Sequence, residues 1–240
     1  METTNNTVLI TGGSSGIGLA LAKRFWQEKN KVIIIGRDPT KLAGVQEKYP
    51  GLKTECVDIR DIAALKRLPQ QYPEVNILIN NAGVQYNYNF ADPGFSLDTI
   101  ENEINTNLLG PLYLTKLFLP HLLNKKQAAI VNVSSALGFV PKQTAPVYCG
   151  SKAAVHIFSQ ALRWQLENSS IKVFEIIPSL VDTPMTQDRD RNKISPEALA
   201  DEFWHNFRGN TYEVRIGGVK QLLRLNQLMP TIAQKIMRKG

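Results

Sequence analysis

The chain is poor in the residues that staple or anchor a protein. It has two cysteines in 240 residues, Cys56 and Cys149, and they form no CxxC or other ligand-like spacing. That excludes a disulfide framework and a thiolate metal site. His121, His156 and His205 show no metal-ligand spacing either, so no metal is expected. No apolar run approaches the roughly 20 residues of a membrane span. The run Val8–Leu9–Ile10, after the polar METTNN, is too short for a signal-peptide core. There is no repeat period, no low-complexity tract and no G-x-S-x-G elbow, which removes the hydrolases that depend on one. These absences predict a cytoplasmic protein. Acidic residues are also missing from one region: none follows Glu213, so Arg215, Lys220, Arg224, Lys235, Arg238 and Lys239 hold most of the net charge of +7. The remainder is nearly neutral, which argues against a distributed nucleic-acid footprint.

What is present is alternation. Short β-branched runs at 7–10, 31–35, 52–57, 75–79, 129–133 and 172–177 are separated by helical stretches near 16–28, 39–48, 61–71, 98–122 and 147–168. Most of the runs are almost continuously apolar, as in strands covered on both faces. Asp38–Pro39 is a helix start, an N-cap followed by proline at the first helical position. The alternation predicts one α/β domain over 1–240, a doubly wound parallel sheet in three layers, α/β/α. No strand is expected beyond 172–177, because Tyr212–Ile216 is short.

In such a sheet the ligand lies at the carboxyl ends of the strands. After the first comes TGGSSGIG, Thr11–Gly18, with glycines at 12, 13, 16 and 18. Glycines allow a tight turn and a close approach of pyrophosphate to backbone, and the helix that follows offers free N–H groups. A plain glycine-rich turn is the competing reading. At the end of the second strand Gly36–Arg37 stands where an NAD site would carry an acid. A guanidinium binds a 2′-phosphate that a carboxylate would repel, and the Ser14 hydroxyl could assist, so NADP(H) is expected over NAD(H).

The ordered series TGGSSGIG, NNAG (Asn80–Gly83), Asn107, VNVSS (Val131–Ser135) and Tyr148-x-x-x-Lys152 resembles the short-chain dehydrogenase/reductase family along nearly the whole chain. NNTVLITGGSSGIGLALAKRF, VQYNYNF and the basic ending resemble its bacterial DltE-type branch. The resemblance implies a Rossmann-type fold and a catalytic tetrad of Asn107, Ser135, Tyr148 and Lys152. It implies that Gly12, Ser14, Ser15, Gly16, Ile17 and Gly18 hold the pyrophosphate and that Asp58 meets the adenine edge. Asn81, Ala82 and Gly83 would back the ribose, and Pro178 and Thr183 would border the nicotinamide. Pro178–Ser179 departs from the family's Pro-Gly, which puts the local backbone in question.

Tyr148 and Lys152 lie four apart on one helix and share a face. A tyrosine titrates near 10, and a neighbouring ammonium is expected to lower that value. Ser135 would donate to the substrate oxygen, and Asn107 would hold a water linking Lys152 to solvent. The expected activity is NADP(H)-dependent interconversion of a small-molecule carbonyl and an alcohol; a catalytically silent NADP(H)-binding regulator or scaffold is the alternative. A substrate lid is expected over about 180–210. The basic tail, 214–240, is expected to pack on the body or a partner subunit rather than on a membrane surface. The resemblance also implies a homodimer or homotetramer joined through 98–122 and 147–168.

Overall fold

The computed structural model describes residues 1–189 and 193–238. Seven strands form one parallel sheet: β1 (Thr7–Thr11), β2 (Lys31–Gly36), β3 (Leu52–Cys56), β4 (Ile77–Asn80), β5 (Ala128–Val133), β6 (Ile171–Pro178) and β7 (Glu213–Ile216). Their spatial order is β3-β2-β1-β4-β5-β6-β7. The chain winds outward from β1 to β3, then returns to lay β4 on the other side of β1. The crevice at the carboxyl ends of β1 and β4 is therefore the switch point where an open α/β sheet takes its ligand.

The helices that cover the sheet are α1 (Gly16–Gln27), α2 (Pro39–Lys48), α3 (Ile62–Gln71), α4 (Leu97–Ile104), α5 (Gly110–Leu123), α6 (Pro146–Gln165), α7 (Pro196–Arg208), α8 (Val219–Leu228) and α9 (Pro230–Arg238). Alternate strand residues serve opposite layers. Val8, Ile10, Ile34 and Val131 pack with Leu21 and Phe25 of α1 and Phe203 of α7. Leu9, Ile33, Leu78 and Ile130 pack with Leu65 of α3, Phe118 of α5 and Leu162 of α6. Both faces are buried, which is why the strands are continuously apolar in sequence.

Three expectations are corrected. A seventh strand exists: β7 pairs with β6 from Glu175↔Glu213 to Pro178↔Ile216. Four residues suffice because it is an edge strand whose inward Val214 and Ile216 are buried. The single helix expected over 98–122 is two, separated by a π-helical turn at Asn105–Leu109. Ser179 is unstrained, since the positive-φ non-glycine residues are Asn5, Lys29 and Asn210. The missing glycine has a counterpart just past the next strand: a Cβ on Gly217, at φ +70, would lie 2.3 Å from the Ser179 hydroxyl oxygen.

The stretch expected to be a lid divides. Val181 bridges to Ile194, and a short 3-10 turn spans Pro184–Thr186. Asp190, Arg191 and Asn192 lie outside the described residues, as do Lys239 and Gly240 of the tail. α7 belongs to the core: Trp204 and Phe207 meet Phe25 edge-on, with ring centroids 5.0 and 5.6 Å apart. In the tail, Met229 separates α8 from α9 ahead of Pro230. α8 buries Val219 and Leu223 against Ala136 and Ile177. No helix among the described residues is long and apolar enough to cross a membrane.

Candidate active site

The glycine loop leaves β1 through Gly12 at φ +65 and enters α1 through Gly16 at φ +53, both in the left-handed region that L side chains rarely adopt. Ser15 caps α1 in an extended conformation and makes no side-chain cap bond, and the first turn carries no acid. Its N–H groups and positive dipole end therefore face the crevice. The NNAG segment is sewn to this loop. The backbone N–H groups of Asn81 and Ala82 both donate to the Thr11 hydroxyl at 3.0 Å. The Asn81 amide donates to the carbonyls of Thr11 and Gly12 at 2.9 and 3.2 Å. Thr11 carries no weight in the sequence reading, yet it joins the two segments.

The cradle has no room for side chains. A Cβ on Gly18 would lie 2.3 Å from the Gly12 carbonyl oxygen, and one on Gly12 would lie 2.9 Å from the Ala82 Cα. One on Gly16 would meet Thr183 at 3.0 Å. Thr183 caps the turn after β6, where its N–H donates to the Thr186 hydroxyl at 3.1 Å. The loop, the NNAG segment and Thr183 thus fit a dinucleotide held against bare backbone. Gly18→Ala is expected to cost about 1–3 kcal/mol in stability by overpacking and to weaken nucleotide binding. Thermal melting and a fluorescence titration check this.

At the end of β2, Arg37 is exposed and close enough to Asp58 to help hold its carboxyl below the ordinary range, although the Arg60 hydrogen bond is the main cause. The Ser14 hydroxyl borders the same spot, 3.4 Å from where a Gly36 Cβ would stand. Asp58 itself is gripped by Arg60, whose Nε lies 3.0 and 3.1 Å from the two carboxylate oxygens. Arg60 also donates to Asn102 at 2.9 Å.

The four catalytic candidates are all buried and converge from β5, α6 and the π-helical turn. Ser135 caps a short 3-10 turn, Ala136–Gly138, and its side chain hydrogen-bonds the Tyr148 phenol. Gly138 permits that approach, since a Cβ there would lie 2.9 Å from the Ala153 nitrogen of α6. Lys152 extends past the phenol ring, its Nζ 5.8 Å from the centroid, and donates to the Val133 carbonyl at 2.8 Å. Asn107 is clamped to the NNAG exit. Its Oδ1 accepts from the Val84 N–H at 2.8 Å, and its Nδ2 donates to the Val84 carbonyl at 2.8 Å and to Ser151 at 3.3 Å. The π-turn widens the helix at this point and so sets Asn107 against Val84, a common use of such bulges.

The expected lowering of Tyr148 by Lys152 is corrected. Burial pushes the phenol up to about 12, against the opposing pull of Ser135 and Arg189. Burial brings Lys152 down to about 8, with the Glu175 charge opposing. The lysine donates to a carbonyl and sits over the ring rather than beside the hydroxyl, so desolvation dominates both groups.

Two buried acids escape the sequence reading. Glu103 accepts from the Tyr86 N–H at 3.2 Å and from the Tyr88 hydroxyl at 3.4 Å, and burial raises its carboxyl. Tyr88 stacks on Phe95 at 3.9 Å, so the aromatic segment packs on itself around that acid. Glu175, fully buried on β6, accepts from the Ser134 hydroxyl and lies 2.9 Å from His156 Nδ1. Beside Tyr148 and Ser135 a cavity of about 510 Å³ opens toward the turn after β6 and toward the tail. Among the described residues no group of three or more His, Cys, Asp or Glu could hold a metal ion.

A model of the short chain dehydrogenase family matches residues 6–194. The chain belongs to that family. It is 42% identical over 207 residues to the oxidoreductase DltE of Bacillus subtilis, covering 84% of this chain and 82% of the relative. It is 30% identical over 213 residues to an oxidoreductase of Staphylococcus saprophyticus, covering 84% and 90%. A short-chain dehydrogenase of Burkholderia cenocepacia in complex with NADP superposes with a TM-score of 0.89 at 21% identity, covering 99% of both chains. The closed form of serine dehydrogenase complexed with NADP+ superposes with a TM-score of 0.77 at 28% identity, covering 83% and 88%. Of the candidate residues named from the motifs, Ile17, Ser135, Tyr148, Pro178 and Thr183 line the cavity.

Proposed function

We propose that this protein is an NADP(H)-dependent oxidoreductase that interconverts a carbonyl and an alcohol, with Tyr148 as the acid/base. The observation that carries the reading is the meeting of Ser135 and Tyr148 at the wall of one cavity, with the Lys152 ammonium against the Tyr148 ring, beside a glycine cradle that has no room for side chains. A bound nicotinamide supplies the hydride in reduction and accepts it in oxidation. Tyr148 donates its proton to the oxygen on which negative charge develops. The Ser135 hydroxyl hydrogen-bonds the same oxygen, so charge grows against dipoles already in place. The Lys152 ammonium, held by the Val133 carbonyl, faces the ring that has become anionic. Asn107 keeps Val84 and the NNAG segment in register and acts by position. Gly12, Ser14, Ser15, Gly16, Ile17 and Gly18 would bind the pyrophosphate, with Asp58, Asn81, Ala82 and Gly83 along the adenosine and Pro178 and Thr183 beside the nicotinamide. The test is NADPH oxidation over a panel of ketones and aldehydes. Tight NADPH binding without turnover of any of them would overturn the enzyme reading in favour of a silent nucleotide binder.

The preference for NADP(H) rests on Arg37 and Ser14. Arg37→Asp is expected to shift the NADPH-to-NADH ratio of kcat/KM toward NADH by about 10- to 100-fold, the worth of one charged hydrogen-bonding contact. An unchanged ratio would place the 2′-phosphate elsewhere. We also infer a homo-oligomer joined through α4, α5 and α6. Tyr113 and Leu123 on α5, and Ile157 and Trp164 on α6, are large apolar side chains left exposed, which supports that interface. Gel filtration at the mass of one chain would count against it.

A further inference from the structure

The cavity beside Tyr148 has an uneven lining. Leu137, Leu180, Val181, Met185, Leu222 and Met237 give it an apolar wall. The charged side chains among the described lining residues are Lys142 and Arg189, with no aspartate or glutamate among them. At about 510 Å³ it lies within the range of small-molecule pockets, about 300–1,000 Å³. The cavity therefore combines the Ser135 and Tyr148 hydroxyls, an apolar body and two cationic side chains.

Arg189 is the distinctive element. Its backbone N–H closes the turn after β6 by donating to the Thr186 carbonyl at 3.1 Å. Its side chain is half-buried and makes no ion pair or hydrogen bond among the described residues. Its charge nevertheless reaches the Tyr148 phenol. The other arginines bordering buried polar groups behave differently: Arg60 grips Asp58, and Arg163 donates to the Val173 carbonyl and pairs with Glu213. A guanidinium drawn partly out of water is costly unless an acceptor meets it, and its planar fork matches an oxyanion.

We propose that the substrate is a carbonyl or alcohol compound whose apolar body ends in a carboxylate, and that Arg189 binds that carboxylate. This rests on the carbonyl-reducing reading of the same site. The apolar wall takes the chain between the two poles. The carboxylate at Arg189 orients the molecule so that its carbonyl oxygen meets Ser135 and Tyr148. Binding energy from the remote end then serves to position the reacting end.

The full-length protein is assayed with NADPH on medium-chain keto acids and on the methyl esters of the same acids. The acid is expected to be preferred by about 10- to 100-fold in kcat/KM, the worth of a charged hydrogen bond. Arg189→Gln should bring that ratio toward one, mainly by raising KM for the acid, and Arg189→Lys should restore part of it. NADPH affinity, followed by fluorescence, should stay at the wild-type value. In a second readout, titration calorimetry of the NADP+ complex with a saturated fatty carboxylate should give binding in wild type and none in Arg189→Gln.

Equal use of acid and ester by wild type overturns the proposal. So does an Arg189→Gln variant that loses NADPH affinity instead, since Arg189 would then serve the nucleotide. Turnover of neutral aldehydes alone, with no carboxylate binding, also sinks the assignment of Arg189 while leaving the carbonyl reading intact. No turnover of any carbonyl removes the carbonyl reading, and the calorimetry then decides the carboxylate site by itself.

Discussion

Tyr148→Phe is expected to lower turnover on any productive carbonyl by about 10³-fold while melting temperature and nucleotide affinity stay at wild-type values. The change deletes one oxygen from a buried ring whose packing on α6 is otherwise kept, so the fold loses only the bond to Ser135. Burial holds the phenol near 12, which means that it stays protonated and ready to donate throughout the neutral range. The difficulty lies in the phenolate left after the proton has gone, which burial disfavours. The group placed to offset that is the Lys152 ammonium, and it titrates near 8. The sign follows: Lys152 is charged below that value, so reduction should hold steady there and decline as pH rises through about 8. Ser135→Ala removes one preorganised donor and should cost about 10²-fold. Steady-state rates of NADPH oxidation from pH 6 to pH 9.5, roughly, check all three. A Tyr148→Phe enzyme with wild-type turnover would take Tyr148 out of the chemistry.

The parts of the site that sequence alone makes legible are those carried by short, ordered motifs. Gly12 and Gly16 announce a bare-backbone turn because few residues besides glycine accept φ near +60, and Gly18 because a Cβ there would strike the Gly12 carbonyl. Tyr148 and Lys152 declare their shared face through helical spacing. Strand positions are legible because both faces are buried, so a continuous apolar run needs no partner to be recognised. What stays hidden depends on contacts between segments distant in sequence. β7 is too short to stand out, and it is recognisable only once β6 offers an edge. The π-turn follows from how Asn107 reaches Val84, a tertiary event. Gly138 looks like an ordinary loop glycine until α6 is laid against it. Arg189 sits in a charged stretch without pattern, and only the fold turns it toward the cavity. Pro178–Ser179 misleads for the same reason, since the compensating Gly217 lies 38 positions later.

Glu175 is the largest omission, and it yields the strongest stability prediction. An acid inside the apolar strand KVFEIIP breaks the pattern for a fully buried strand, yet Glu175 is wholly buried. It is kept there by the Ser134 hydroxyl and by His156, whose Nδ1 lies 2.9 and 3.1 Å from its two oxygens. The far side of the imidazole meets Gln160 at 3.1 Å, and Gln160 donates to Glu213 at 3.3 Å, beside Arg163 and Arg215. Phe139 covers the ring, with centroids 4.3 Å apart. Ser134 immediately precedes Ser135 and follows the carbonyl that holds Lys152, so this cluster braces the catalytic end of β5. Glu175→Ala strips the charge and leaves Ser134 and His156 without their partner, at an expected cost of about 3–5 kcal/mol. For a chain of this size that is a fall of roughly 10 °C in melting temperature. Glu175→Gln preserves shape and most hydrogen bonds and should cost less. The pH dependence separates charge from shape. The Glu175 hydrogen bond raises His156 above its ordinary 6.5. That stabilisation is complete below 6.5 and is lost as pH climbs through the raised value. The stability gap between wild type and His156→Gln should therefore be widest in mild acid and narrow in base, as urea melts at a series of pH values would record. A gap independent of pH would mean that His156 serves Glu175 as a neutral donor only. A Glu175→Ala protein as stable as wild type would mean that water reaches the site and the cluster braces nothing.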